Sequence, residues 1–308
     1  MVGDSVHVSV RVNLSRIRAN VEAVRAKVRV PVLAVVKADA YGLGNKTVAS
    51  AICDQVDRFC FFSFEEAATA NLWESLGKAS ITLGPPTADP ASYRQFHIRP
   101  AVGTVQDARR LRDADPILSV DTGMQRFGCP LEDIEQVLAA GHCREAMTHA
   151  TRAEQAILLA EQLGGRGLLL HAASSSLLDC PEARLDAVRP GIALYRGAAR
   201  VSIPLLETHD STGPAGYTGF TTPRHGVILA GYSHGLRPGP CRVNGRPSRV
   251  IEVGMQSAYV ECGPGDRPGD EVVLLGDSLT EDAVAAVWGT TPHAAMFYLV
   301  GMGRREFV

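Results

Sequence analysis

The sequence predicts an α/β fold: a (β/α)8 barrel followed by a smaller C-terminal all-β domain. Two observations carry the prediction. Over the first 200 residues, short apolar runs of strand length alternate with stretches whose apolar residues recur at helical spacing. Beyond about residue 200 the helical spacing stops, and short β-like runs follow one another between Gly/Pro turns. About eight strand–helix units in some 200 residues is the size of such a barrel, with its strands buried on both faces.

The elements follow in order. His7 to Val12 alternates as a strand, and Ile17, Val21, Val24 and Val28 line one face of a helix opened by Ser15. PVLAVVK (31–37) is a buried strand by its length and composition. FCFFSF (59–64), SITLG (80–84), RPAVGT (99–104), PILSVD (116–121), EAMTHA (145–150) and GLLLHAA (167–173) supply further strands, with EEAATANLWESLG (65–77) and EDIEQVLAAG (132–141) among the intervening helices. In the second part, HDSTGPAGYTG (209–219) is turn-rich, and GVILAGY (226–232), RVIEVG (249–254), AYVECG (258–263) and EVVLLG (271–276) read as strands. The boundary is placed at 200/201, giving domains 1–200 and 201–308. The first strand, about 5–13, is free to pair with the C-terminal domain.

Composition narrows the function. The chain has 308 residues, 45% hydrophobic and 21% charged, with a net charge of −2. There is no basic field for nucleic acid or an anionic membrane, and no apolar run of membrane-spanning length. Seven cysteines without a CxxC pair argue against a disulfide framework or a zinc site and for a reducing, cytoplasmic setting. No HxH-type metal spacing is present, so no metal is expected.

In a barrel of this kind, residues at the C-terminal ends of the strands form the active site. Lys37 ends the first long run, followed by Asp39, Tyr41 and Gly42. Asp121 and Arg126 follow PILSV, His149 ends EAMTH, His171 and Ser174 to Ser176 end GLLLH, and Arg189, Gly191 and Ile192 follow in VRPGIALY. Taken singly these are ordinary: a lysine at a strand end is usually a solvated charge, a buried histidine a satisfied core residue, a serine cluster a helix cap. Converging on one rim they describe chemistry. A lysine in a partly apolar pocket can lose its proton and condense with an aldehyde. Hydroxyls and backbone N–H groups near a glycine hold phosphate, and an arginine clamps a carboxylate. The set points to pyridoxal 5′-phosphate and an amino-acid substrate.

The motifs that carry these residues resemble the alanine racemases, barrel-type pyridoxal-phosphate enzymes. AVVKADAYGLG (34–44) is similar to their cofactor-lysine motif, and VNLSRIRANVEAVR, VDTGMQRFG, THA, HAASS, VRPGIALYRG and AGYSHG stand in family order over nearly the whole chain. The resemblance implies that Lys37 holds the cofactor and acts as base on one face of the substrate. It implies that Tyr41, Ser175, Gly191 and Ile192 bind the phosphate, and that Arg189 faces the pyridine nitrogen. Arg126 would lie near the substrate carboxylate with Met255 beside it. Tyr232 would be the second base, reaching in from the partner subunit of a homodimer, supported by His149. Racemisation needs proton removal on one face and delivery on the other, hence two groups.

The chain departs from the family pattern at four places. Ser119 stands where a lysine, often carbamylated, usually steadies the arginine. Ser174 replaces an asparagine, Gly254-Met255-Gln256 replaces Cys-Met-Asp, and His293 replaces a tyrosine at the substrate entrance. The chain is also short for the family, trimmed between Arg126 and His149 and in the C-terminal domain. The expectation is a racemase acting on alanine or a related small amino acid. The alternatives are a same-fold enzyme cleaving another Cα bond, as an aldolase or decarboxylase does, and a non-catalytic cofactor carrier. No His and Asp or Cys pair near the C-terminus supports an aldolase metal. VRPGIALY with Tyr232 favours the racemase over the decarboxylases. A carrier resembles the barrel alone and leaves the second domain unexplained.

Overall fold

The computed structural model describes residues 8–308; His7, at the edge of the first predicted strand, lies outside them. The described residues form sixteen strands: β1 Ser9–Val12, β2 Leu33–Val35, β3 Arg58–Phe61, β4 Ser80–Thr82, β5 Ile98–Val102, β6 Ile117–Ser119, β7 Glu145–Ala150, β8 Leu169–Ala173, β9 Ala199–Pro204, β10 Glu207–Asp210, β11 Arg224–Ile228, β12 Gly239–Val243, β13 Arg246–Val253, β14 Ala258–Glu261, β15 Glu271–Leu275 and β16 Arg304–Phe307. They belong to two compact units. One holds Ile17–Ala40 and Gly44–Leu194; the other holds residues 8–16, Tyr41–Leu43 and Tyr195–Val308.

In the first unit β2 to β8 pair in sequence order, every pair parallel. The strands are short and buried because their residues are apolar on both faces, as parallel sheets require. The eighth stave is the segment 186–190. Ala187 bridges to His171 in β8 and Val188 to Val32 beside β2, both parallel. The Leu33 N–H donates to Val188 O at 2.9 Å and the Arg189 N–H to Ala173 O at 2.8 Å, which joins the last strand to the first. This stave is too short and too proline-flanked for an apolar-run reading to find. It replaces the N-terminal strand as the eighth member of the barrel.

Helices begin where short polar side chains satisfy the free N–H groups of the first turn. Ser63 Oγ accepts from the Glu66 N–H at 3.2 Å, and Thr104 Oγ1 from the Asp107 N–H at 3.1 Å. The first helix runs Leu14–Val28 and is capped by Asn13 rather than Ser15: the Asn13 Oδ1 accepts from the Arg16 N–H at 2.7 Å. Ile17, Val21, Val24 and Val28 are its buried face, as the spacing predicts. The stretch 65–77 forms two helices, Phe64–Ala70 and Leu72–Leu76, because Asn71 takes a left-handed conformation with φ 44° between them.

The second unit is a nine-stranded sheet in the order β10-β11-β14-β13-β12-β15-β9-β1-β16. All pairs are antiparallel except β1 with β16. β1 therefore lies between β9 and β16. To strands this unit adds two helices, Glu281–Trp288 and Pro292–Val300, capped by Thr280 and Thr291. The sequence expectation of β structure alone is corrected there: AVAAVWG and AAMFYLV are continuous apolar runs that periodicity does not sort. Among the described residues no helix is long and apolar enough to cross a membrane.

One close approach fixes the barrel's loop after β6. A Cβ on Gly128 would lie 2.5 Å from the Asp121 backbone nitrogen. Gly128→Ala is expected to lower stability by about 1–3 kcal/mol, the usual cost of overpacking, read as a lower urea midpoint at unchanged slope.

Candidate active site

The strand-end residues of the first unit meet at the C-terminal mouth of its barrel. Lys37 stands two residues beyond the end of β2 and is half-buried, its Nζ 6.0 Å from the centre of the Phe62 ring. The backbone after it is unusual. Ala38, Asp39, Ala40 and Tyr41 are all left-handed, with φ 51°, 55°, 54° and 59°. Four successive non-glycine residues in this region cost roughly 1–2 kcal/mol each, so the turn must be held from outside. Within this unit the Ala38 N–H donates to Glu66 Oε1 at 2.8 Å, and the Asn45 N–H donates to Asp39 Oδ1 at 2.8 Å. The second oxygen of Glu66 takes the Phe62 N–H at 3.0 Å. Strain concentrated at one turn and supported by dedicated hydrogen bonds is a mark of function.

Burial lowers the Lys37 pKa below the usual lysine value, and the nearby charge of Arg126 lowers it further, with a smaller effect from Arg189; Glu66 works in the opposite sense. Arg126 is exposed, its guanidinium 5.7 Å over the Phe127 ring. Its loop is tied without a lysine at position 119. Asp121 Oδ1 accepts from the Gly123 and Gln125 N–H groups at 2.8 and 3.0 Å, and the Cys129 N–H donates to Ser119 O at 2.7 Å. His149, on β7, is solvent-exposed at the mouth yet surrounded by protein on its other sides. That enclosure and the charges of Arg189, Arg126 and Lys37 push it down to about 4, so it is neutral at physiological pH.

Arg189 is buried. One terminal nitrogen donates to His171 O at 2.8 Å and to His171 Nδ1; the other donates to Thr148 O at 2.5 Å and Ala172 O at 3.5 Å. Among the described residues no group accepts from its Nε–H. Burial lowers Arg189 to about 10, which still leaves it charged at neutral pH. Ser175 Oγ accepts from the Gly191 N–H at 2.9 Å and the Ala193 N–H at 3.1 Å, so backbone donors around Ile192 gather at one point. Ser174 Oγ donates to Ala150 O at 3.3 Å and reaches Ser176.

The remaining sequence-predicted residues lie in the second unit. The Tyr41 ring is 5.2 Å from Tyr195 and 5.7 Å from His293, centre to centre, and burial raises its hydroxyl to about 12. Tyr232 and Met255 share one tight turn: the Tyr232 N–H donates to Gly254 O at 2.9 Å, and Ser233 donates to Met255 O from both its N–H, at 3.1 Å, and its hydroxyl, at 2.7 Å. A Cβ on Gly231 would stand 2.3 Å from Met255 O, so only glycine allows this contact. Tyr232 and Met255 are 57% and 60% exposed.

Sequence reasoning missed Phe62 and Phe127, whose rings stand 6.1 Å apart beside Lys37 and Arg126, and the charged residues Arg58, Arg99 and Glu145 inside the barrel. The signal for the charges was present: each stands at or next to the start of an apolar strand run.

The donor set of the mouth fits a phosphorylated pyridine aldehyde. Backbone N–H groups suit an anion, a free Nε–H suits a ring nitrogen, and a lysine of lowered pKa suits an aldehyde. Residues 12–199 match the family described as alanine racemase, N-terminal domain. The chain belongs to the alanine racemase family. The alanine racemase of Syntrophobacter fumaroxidans is 30% identical over 98% of this chain and 96% of its own length. That of Aeromonas hydrophila is 27% identical over 97% and 98%. The fold matches a crystal structure of alanine racemase from Bartonella henselae with covalently bound pyridoxal phosphate, at a TM-score of 0.87 and 22% identity, over 99% of this chain and 100% of that one.

The neutral histidines have a consequence for stability. His171, buried and beside Arg189, is also pushed down to about 4. The unfolded chain takes up these protons near pH 6.5, while the folded chain refuses them until about 4. Protonation therefore favours unfolding, and the urea midpoint is expected to fall as pH drops from 6.5 towards 4. His149→Phe should reduce that fall.

Proposed function

We propose that this chain, a pyridoxal-phosphate-dependent racemase by family, interconverts the enantiomers of alanine or a related small amino acid by two-base proton transfer at Cα. The observation that carries the reading is the combination, in one barrel mouth, of a half-buried lysine amine with an arginine whose uncommitted donor is its Nε–H. When bound, pyridoxal phosphate supplies an electron sink that makes the substrate's Cα–H bond labile.

The residues divide the remaining work. Ser175 and the backbone of Gly191 and Ile192 hold the phosphate. Arg189, with its Nε–H uncommitted, would face the pyridine nitrogen; since a guanidinium keeps its own proton, that nitrogen would stay unprotonated, which would weaken the sink and disfavour side reactions such as transamination. Lys37, with its lowered pKa, is neutral in a larger fraction of molecules than an exposed lysine and takes or returns the Cα proton on its face. Arg126 clamps the carboxylate, and Met255 arrives beside it from the second copy, on the turn that carries Tyr232. His149, neutral, adds no further positive charge and offers Tyr232 a hydrogen bond.

Tyr232 serves the opposite face, from a second copy of the chain in a homodimer. Its exposure together with Met255 on a turn fixed by backbone hydrogen bonds supports this, because a residue completing another copy's site must stand out of its own. The bulk of Phe62 and Phe127 beside Lys37 and Arg126 supports a small substrate. No disulfide joins any of the seven cysteines, which supports the cytoplasmic placement.

Incubation with L- or D-alanine and pyridoxal phosphate in deuterated water should give Cα exchange with inversion. Release of carbon dioxide or an aldehyde instead would assign another Cα-bond cleavage. Chains carrying Lys37→Ala and Tyr232→Phe, each inactive alone, should recover activity when mixed as hybrid dimers; proven hybrids without recovery contradict shared sites. Phe62→Ala with Phe127→Ala should raise kcat/KM for larger amino acids relative to alanine.

A further inference from the structure

One layer inside the barrel is ionic. Barrel interiors are ordinarily filled by layers of branched apolar side chains, each layer contributed by alternate strands. Here the alternate strands β3, β5 and β7 contribute Arg58, Arg99 and Glu145. Arg58 Nη1 donates to the two oxygens of Glu145 at 3.0 and 2.8 Å, and Arg99 Nη1 donates to Glu145 Oε2. Arg99 also pairs through Nε with Asp115 Oδ2 at 2.8 Å. Glu145 is 2% exposed and His171, on the neighbouring β8, is fully buried. A well-packed apolar layer would be at least as stable as this one, so stability does not account for it.

The hydrogen bonds above the layer do. His171 Nε2 lies 2.9 Å from Glu145 Oε1, and His171 Nδ1 faces Arg189 Nη1. A guanidinium has donors only. In this arrangement Nδ1 presents its lone pair and the ring proton sits on Nε2. An imidazolium would aim a second N–H at a cation. The ionised carboxylate accepts and never donates, so it selects this tautomer and holds it. Against the effect of burial, the His171 hydrogen bond and the two arginines hold that carboxylate ionised, well below the usual carboxylate range. Once His171 Nδ1 accepts from Arg189, the terminal nitrogens of Arg189 are committed to His171, Thr148 and Ala172, and the Nε–H is the donor left over.

We propose that Glu145 is a positioning residue for the cofactor ring: by fixing the Nε2–H tautomer of His171, it holds Arg189 with its Nε–H free for the ring nitrogen. The proposal rests on the functional reading above. It makes the charged layer an extension of the site, and it assigns His171 the part of a spacer that passes orientation from carboxylate to guanidinium.

The test uses the full-length holoenzyme with 15N-labelled histidine, together with the visible band of bound pyridoxal phosphate. In the wild-type protein His171 should be protonated at Nε2 and bare at Nδ1. Glu145→Gln keeps an acceptor oxygen and should keep both tautomer and band. Glu145→Met should lose the tautomer preference, shift the band, and weaken pyridoxal phosphate binding by roughly 10-fold, the scale of a lost hydrogen bond to a charged group. Arg58→Met removes a partner of the carboxylate but none of His171, and should leave the tautomer unchanged. A wild-type His171 protonated at Nδ1 overturns the proposal, even if Glu145→Met fails to fold. So does a folded Glu145→Met holoenzyme with the wild-type tautomer and band. A wild-type protein that takes up no pyridoxal phosphate overturns the functional reading instead, and the tautomer then still reports on the Glu145–His171–Arg189 geometry.

Discussion

Arg189 is a buried cation with no carboxylate against its guanidinium among the described residues. Its charge is met by the backbone oxygens of Thr148, His171 and Ala172 and by the lone pair of His171. Those carbonyls lie on β7 and β8, and the Arg189 N–H joins β8 through Ala173 O. The same residue therefore closes the barrel and sets the floor of its mouth. Desolvation would be costly for a cation placed there without such acceptors. Because its terminal nitrogens are fully engaged, it behaves as a rigid donor rather than a mobile charge.

The rest of the mouth is arranged around that fixed charge. Arg189 and Arg126 both press on Lys37, and together with Lys37 they press on His149. The outcome is a site whose positive charge is carried by two arginines, with a lysine poised to lose its proton and histidines kept neutral. Such a field attracts an anionic ligand and favours the amine form of Lys37 in the same stroke. Electrostatic pressure and local backbone strain meet at one place, since the left-handed turn 38–41 begins immediately after that lysine.

Much of this was legible in the sequence, for physical reasons. Buried parallel strands are continuous apolar runs, so β2, β3 and β8 announce themselves, and a lysine or histidine ending such a run stands out. The eighth stave did not announce itself, because VRPG is short and gets its hydrogen bonds from neighbours rather than from its own pattern. The helices at Glu281–Trp288 and Pro292–Val300 are apolar nearly all round, which removes the periodicity that would have separated them from strands. Arg58, Arg99 and Glu145 were visible as charges but not as a cluster, because only closure of the barrel brings β3, β5 and β7 together. The left-handed turn was hidden because Ala38, Asp39 and Ala40 carry no signal for positive φ; the signal lies in Glu66, which holds the turn from another strand–helix unit.

The central proposal is that Arg189, pinned at its terminal nitrogens, would present a donor to the cofactor ring and so leave the ring nitrogen without a proton. Nitrogen NMR of the protein loaded with pyridoxal phosphate labelled with 15N in the ring tests this directly. The account predicts the chemical shift of an unprotonated, hydrogen-bonded pyridine nitrogen across the neutral pH range. The shift of a pyridinium would contradict it.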